Sequence, residues 1–269
     1  MNNIVQRTIT GIVFLTLVIG AIVFHKISFF ILFELIIICS MYEFYSLAEK
    51  ENYKPQKLYG IIIGAITFAA NFFYVNQNID TKVFLPLIIL TGGIFIFELY
   101  RSSAKIMTDV AFTLLGIIYI ALPISFTNYI VFENGNYHWR LLLGFFMLTW
   151  IFDTFAYVLG ISFGKHPLFE RVSPKKSWEG FIGGTIFTTI ASYPVSLIFP
   201  ELNLLQWAIT AIIVSVVGTY GDLVESSIKR SYNKKDSGKM LPGHGGILDR
   251  FDAILFSLPV FYIFIQLVY

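Results

Sequence analysis

Charge is scarce in this 269-residue chain: Asp, Glu, Lys and Arg together make up 13% of it, against about a quarter in ordinary soluble domains. Hydrophobic residues account for 56%, including 28 Phe. A soluble globular domain is excluded, and the chain belongs in a membrane. Cysteine is nearly absent, and the single Cys39, set in an apolar run, cannot form an internal disulfide. A net charge of +2 leaves no basic excess for nucleic acid, so no nucleic-acid partner is expected. Arg7 ahead of an apolar segment resembles a signal peptide, but no small-residue cleavage site follows. The segment reads as a retained span. The period-2 alternation of a membrane barrel is missing, and so are internal repeats and any separate soluble domain.

What is present is a series of long apolar runs. A bilayer core of ~30 Å takes about 20 helical residues, and on that ruler nine spans are expected: 8–24, 28–48, 57–75, 83–99, 108–131, 141–160, 178–199, 204–226 and 251–268. Lipid cannot satisfy free peptide groups, so the spans are helices and the fold class is an all-α polytopic membrane protein. The expected organisation is five N-terminal spans over 1–140, then a C-terminal membrane region of four spans over 141–269 with loops 161–177 and 227–250. Lysine and arginine favour the cytoplasmic side of short loops. With nine spans, 16 of the 19 fall on the side of the N-terminus, leaving only Lys26, Lys82 and Arg140 opposite. A cytoplasmic N-terminus follows as an expectation.

Ionisable groups within spans are costly and mark function or pairing. Asp153, Asp222 and Asp249 lie in or at the ends of spans six, eight and nine, and the span order puts all three at a similar depth near the inner face. Helical spacing aligns Asp222, Glu225 and Lys229 (i, i+3, i+7), and likewise Asp249 and Asp252. Carboxylates converging from separate helices suit Mg²⁺, which is held by one or two of them plus substrate phosphates. In the plainer reading, Glu225 only pairs with Lys229 and the aspartates cap helix ends. Glu43 and Glu98 fall near inner span ends and are expected to reach the interface; Glu34 lies deeper, with no evident partner.

Cations accompany these acids. Ser173-Pro-Lys-Lys-Ser-Trp-Glu-Gly180 opens span seven, where Pro174 suits a helix entrance and the free N–H groups favour anions. Lys175, Lys176 and Ser177 are therefore candidates for substrate phosphates, although basic residues at span ends also meet anionic headgroups. Gly180, Gly183 and Gly184 read as close helix packing. Between the last two spans, Lys229, Arg230, Lys234, Lys235, Lys239 and Arg250 offer phosphate partners, while Gly243, Gly245 and Gly246 permit tight backbone approach around His244. On these residues alone the chain carries a phosphate-handling, Mg²⁺-dependent site at the inner membrane face.

From Ser226 to Asp252 the order Ser226, Lys229-Arg230, Lys235-Asp236, Pro242, His244-Gly-Gly246 and Asp249-Arg-Phe-Asp252 resembles the signature of the phosphatidate cytidylyltransferases. Asp153-Thr-Phe-Ala-Tyr157 and the Ser173–Gly180 run resemble the same family, which favours a small residue where Phe155 stands. The resemblance is close from about residue 150 to the C-terminus. It implies condensation of CTP with phosphatidic acid to CDP-diacylglycerol and pyrophosphate at the cytoplasmic face of the cell's inner membrane. It also implies dependence on Mg²⁺, with room for a second cation, and a homodimer. The metal candidates are Asp222 and Asp249, with Asp153 from the residue reading. The catalytic set adds Lys176 and Arg250, and the substrate-binding set comprises Lys175, Ser177, Lys229, Arg230, Lys235, Asp236, His244, Gly245 and Gly246. A CTP-dependent lipid kinase needs similar cations, and an ion-coupled transporter also carries intramembrane acids. The gathering of acids beside a basic, glycine-rich loop at one face favours the transferase.

Overall fold

Apolar runs whose peptide groups find no water close their hydrogen bonds internally, and in the computed structural model they do so as helices. The structure describes residues 3–268 except 51, 78, 102, 103, 239, 242 and 244; at 3–5, 7 and 8 it describes the backbone alone. The described helices are α1 (Asn3–Phe24), α2 (Lys26–Glu49), α3 (Lys57–Gln77), α4 (Leu85–Leu99), α5 (Ile106–Gly116), α6 (Leu122–Val131), α7 (Arg140–Phe163), α8 (Trp178–Ile198), α9 (Leu204–Ser231) and α10 (Leu248–Val268). Two short antiparallel hairpins join some of them: β1 (Phe132–Glu133) with β2 (Asn136–Tyr137), and β3 (Pro167–Phe169) with β4 (Ser173–Ser177).

Each expected span corresponds to a helix or helix pair. Among the described residues eight segments are long and apolar enough to cross a membrane, and α1 adds the shorter apolar stretch Ile9–Phe24. The chain is an integral membrane protein of all-α class. Span five is not one uniform helix. A π-helical turn, Ile117–Ala121, separates α5 from α6, and Pro123 follows at the start of α6. Proline has no N–H to give the preceding turn, and widening the ladder by a residue accommodates the loss. Pro194 and Pro259 lie inside continuous helices.

The chain divides into two compact units, residues 1–137 with 232–251, and residues 138–231 with 252–269. The first unit has an aromatic core in which Phe29 packs on Phe33 with ring centroids 4.7 Å apart, and Phe30 on Phe72 at the same separation. Tyr45 fills a notch where side chains at Gly60 and Gly116 would collide with it, and its hydroxyl donates to the Thr113 carbonyl at 2.7 Å. Glu98 does not reach the interface. It is 1% exposed and accepts from Gln56 Nε2 at 2.7 Å and Arg101 at 2.9 Å. Together with Asp109, which accepts from the Lys54 amide at 2.7 Å, it staples the segment between α2 and α3 to the adjoining helix ends.

The second unit packs α7, α8, α9 and most of α10. A Cβ at Gly180 would lie 2.6 Å from the Ala156 carbonyl oxygen, and one at Gly184 would lie 3.0 Å from the Ala156 Cβ. The glycines of the α8 entrance therefore serve close packing against α7, as their spacing suggested. Gly221 does the same on α9, where a Cβ would come within 2.6 Å of the Asp252 carbonyl oxygen. Phe155, the departure from the family pattern, stacks on Phe187 with centroids 4.6 Å apart.

Candidate functional site

Pro174 does not open a helix. Ser173–Ser177 is a strand, paired with Pro167–Phe169, and α8 begins at Trp178 with Ser177 as its cap, the Ser177 hydroxyl accepting from the Gly180 amide at 3.2 Å. A serine cap in extended conformation fixes the helix start more firmly than a proline that tolerates either state. Lys175 and Lys176 thus ride on a hairpin arm. Glu179 closes that arm onto the preceding loop, accepting from the Lys165 and His166 amides at 3.1 and 3.2 Å and meeting His166 Nδ1 at 2.5 Å.

Within this same unit Lys176 forms an ion pair with Asp222 of α9. The two side chains are 32% and 30% exposed, so solvent reaches both. The other Asp222 oxygen accepts from the Ser226 hydroxyl at 3.1 Å, one helical turn on. Glu225 pairs with Lys229, four residues on, and both are buried. Asp252 stands where the charges of Asp222, Glu225 and Lys229 all act on it, and its own Oδ1 accepts from the Ala253 amide at 2.7 Å. Asp222, Glu225 and Lys229 of α9 therefore gather near Asp252 of α10, where Gly221 lets the two helices come close. The spacing of Asp222, Glu225 and Lys229 pointed to it, but the part of Asp252 had only the Asp-Arg-Phe-Asp motif as its signal. Arg230 and Lys175 are exposed, and so is Asp153 on α7.

The first unit holds Asp249, in the opening turn of α10, in a different manner. Its carboxylate accepts from the Gly246 amide at 2.7 Å and from the Ser237 amide at 3.1 and 3.2 Å. The loop before it is shaped for that purpose. Gly243 and Gly245 have φ of +77° and +83°, and a Cβ at Gly245 would lie 2.8 Å from Asp249 Oδ2. Only glycine takes that backbone without strain and leaves the oxygen room. The Leu241 amide donates to the Gly245 carbonyl at 3.0 Å, closing the turn. Lys235, Asp236 and Arg250 are exposed beside it in sequence. His244, Lys239 and Pro242 lie outside the described residues.

Sequence reasoning missed Glu43. It was expected near the interface, but it is 3% exposed, and one of its oxygens accepts from the Ser237 hydroxyl at 3.3 Å and the Leu248 amide at 3.0 Å. Side chains at Gly238 or Gly246 would collide with its carboxylate. The available signal was an acid at the end of an apolar run, which rarely stands there idle.

Among the described residues no three His, Cys, Asp or Glu side chains form a ready cage for a metal ion. Within its own unit, each of Asp222 and Asp249 is a partly accessible carboxylate with acceptor capacity left, which suits a hard cation that takes its other ligands from phosphate and water. Chemically, accessible acids, cations on a short arm and a glycine loop with inward amides can handle polyanionic phosphates.

Comparison with known proteins gives the same direction. A cytidylyltransferase family profile matches residues 5–268. A phosphatidate cytidylyltransferase of Thermotoga maritima is 33% identical over 98% of this chain and 96% of its own length. Those of Staphylococcus saprophyticus and Staphylococcus haemolyticus are 43% and 44% identical over 154 residues, 56% of this chain, and the match spans 57% of each relative's length. With the profile running through all the helices and both acidic sites, the chain belongs to the cytidylyltransferase family.

Proposed function

We propose that the protein condenses CTP with phosphatidic acid to give CDP-diacylglycerol and pyrophosphate at the cytoplasmic face of the cell's inner membrane. The observation that carries this reading is the family match over residues 5–268, which takes in the paired Asp222 and the amide-held Asp249. The relatives named for this activity support the choice of lipid substrate. The bias of lysine and arginine to one set of loops supports a cytoplasmic N-terminus and an active site on the same side.

In this reaction a phosphate oxygen of phosphatidic acid attacks the α-phosphorus of CTP. The bond from that phosphorus to the bridging oxygen of the β-phosphate breaks, and pyrophosphate leaves with the electron pair. The nucleophile is already an anion, so no strong base is required. Asp222 and Asp249, with Asp153 as a further candidate, would hold Mg²⁺, which would supply charge neutralisation at the α-phosphate and the leaving pyrophosphate. The protein's own task is to bring two anions together and hold them in line. Lys175, Arg230, Lys235 and Arg250, all exposed, meet substrate phosphates. Lys176, already paired with Asp222, holds that carboxylate in place and shares its charge with an arriving phosphate. Lys229 steadies Glu225 in the same manner. Ser177 caps α8 and keeps the lysine arm at its fixed start, while the Gly245-Gly246 backbone shapes the wall around Asp249.

The deciding experiment is direct. Purified protein in detergent or vesicles, given CTP, Mg²⁺ and phosphatidic acid, should release pyrophosphate and form CDP-lipid in equal amounts. Neither product, or CDP with a newly phosphorylated lipid, would overturn the reading, the latter in favour of a CTP-dependent kinase.

A further inference from the structure

Ser237 makes two bonds of different origin. Its amide donates to Asp249, and its hydroxyl donates to Glu43 of α2. The same Glu43 oxygen accepts from the amide of Leu248, the residue directly before Asp249. A carboxylate from α2 thus grips two residues tied to Asp249: Ser237, whose amide donates to it, and Leu248, which precedes it in the chain. Asp249 is near enough for its charge to act on Glu43. Gly238 and Gly246 leave the space that this grip requires, since a side chain at either would strike the Glu43 carboxylate. Leu248 begins α10, and its amide is one of the open donors of a helix start, where an acceptor with negative charge is favoured.

We propose that Glu43 is a positioning residue for the reaction: it ties the glycine loop and the first turn of α10 to α2, and so sets the orientation of the Asp249 carboxylate toward a divalent cation. An apolar contact would bury α2 at lower cost than a carboxylate does. The acid is useful because its bonds are directional and end on Ser237 and Leu248. Glu43 is buried and acts through these two residues. The inference rests on reading Asp249 as a metal-binding acid.

The test uses the full-length protein in detergent, with Glu43→Gln, Glu43→Ala, Ser237→Ala and Asp249→Asn. Turnover is measured against Mg²⁺ concentration, and amide hydrogen exchange is followed over residues 232–249. Glu43→Gln should raise half-saturating Mg²⁺ about tenfold and lower kcat by a similar factor, leaving KM for CTP at saturating Mg²⁺ within about twofold. Exchange at Ser237 and Gly246 should accelerate, while helices outside this segment stay protected. Ser237→Ala should give a shift of about threefold, and the double variant Ser237→Ala with Glu43→Gln should be no worse than Glu43→Gln alone. A purely structural role would lower the melting temperature and the folded yield without moving half-saturating Mg²⁺ per folded molecule. Wild-type Mg²⁺ dependence and exchange in Glu43→Gln, or additive effects in the double variant, would overturn the inference even if Glu43→Ala fails to fold. Asp249→Asn keeps the two readings apart. Wild-type turnover in that variant would sink the role of Asp249 itself, whereas an inactive Asp249→Asn beside a normal Glu43→Gln would sink only the role of Glu43.

Discussion

Asp222 and Asp249 are both acids at the polar ends of membrane helices, yet they are held by opposite means. Asp222 is gripped by side chains, the Lys176 ammonium and the Ser226 hydroxyl. Asp249 is gripped by backbone, the amides of Ser237 and Gly246. A side-chain partner on a hairpin arm can swing to another anion. An amide in a glycine turn cannot leave without unmaking the turn. The difference separates an acid whose partner is exchangeable from one whose geometry is fixed before anything binds, a form of preorganisation in the fold itself.

The sharpest way to break this comparison is to remove each charge in turn. Asp222→Asn and Asp249→Asn should each lower turnover at least about 100-fold while the protein still inserts and purifies normally. Pyrophosphate release per folded molecule checks this, and near-normal rates in either variant would take that residue out of the site. Gly245→Ala comes next. It forces a side chain into a left-handed backbone and against Asp249 Oδ2, so a loss of ~10–100-fold in kcat is expected with little change at Asp222-dependent steps. If Gly245→Ala runs at the wild-type rate, the amide cradle does not matter. Lys176→Ala removes the exchangeable partner and should cost about tenfold in kcat/KM, more at low salt than at high salt; insensitivity to ionic strength would count against its sharing by a substrate phosphate. The smallest effect is expected for Lys175→Ala, a rise in KM for an anionic substrate of about threefold. Unchanged kinetics would assign Lys175 to lipid headgroups.

Much of this architecture is local information. The nine spans are readable because an apolar run of about 20 residues has few other stable forms, and the glycine-rich segment 226–252 stands out as polar chain between two such runs. Gly180 and Gly184 were readable as packing residues for the same local reason. The loop's mode of action was not. Asp249 takes amides from residues 3 and 12 positions away, and nothing in helical spacing foretells which backbone groups a turn will aim inward. Nor does spacing disclose that Asp249 and Asp252, set on one face by an i, i+3 pattern, fall in different compact units. Glu98 and Glu43 were placed at the interface because hydropathy measures depth and is blind to partners; each is buried where a hydrogen-bonding partner from elsewhere in the chain receives it. Pro174 misled because proline suits a strand edge and a helix start alike.

The grip of Glu43 also bears on how the protein is made. Its two partners lie 194 and 205 residues further along the chain. At a synthesis rate of about 5–20 residues per second, α2 precedes them by roughly 10–40 s. Through that interval the nascent protein carries an acid in its second span with neither of these donors yet made. The loop around Asp249 can close only when α10 has begun, so the order of translation makes this part of the fold form well after α2.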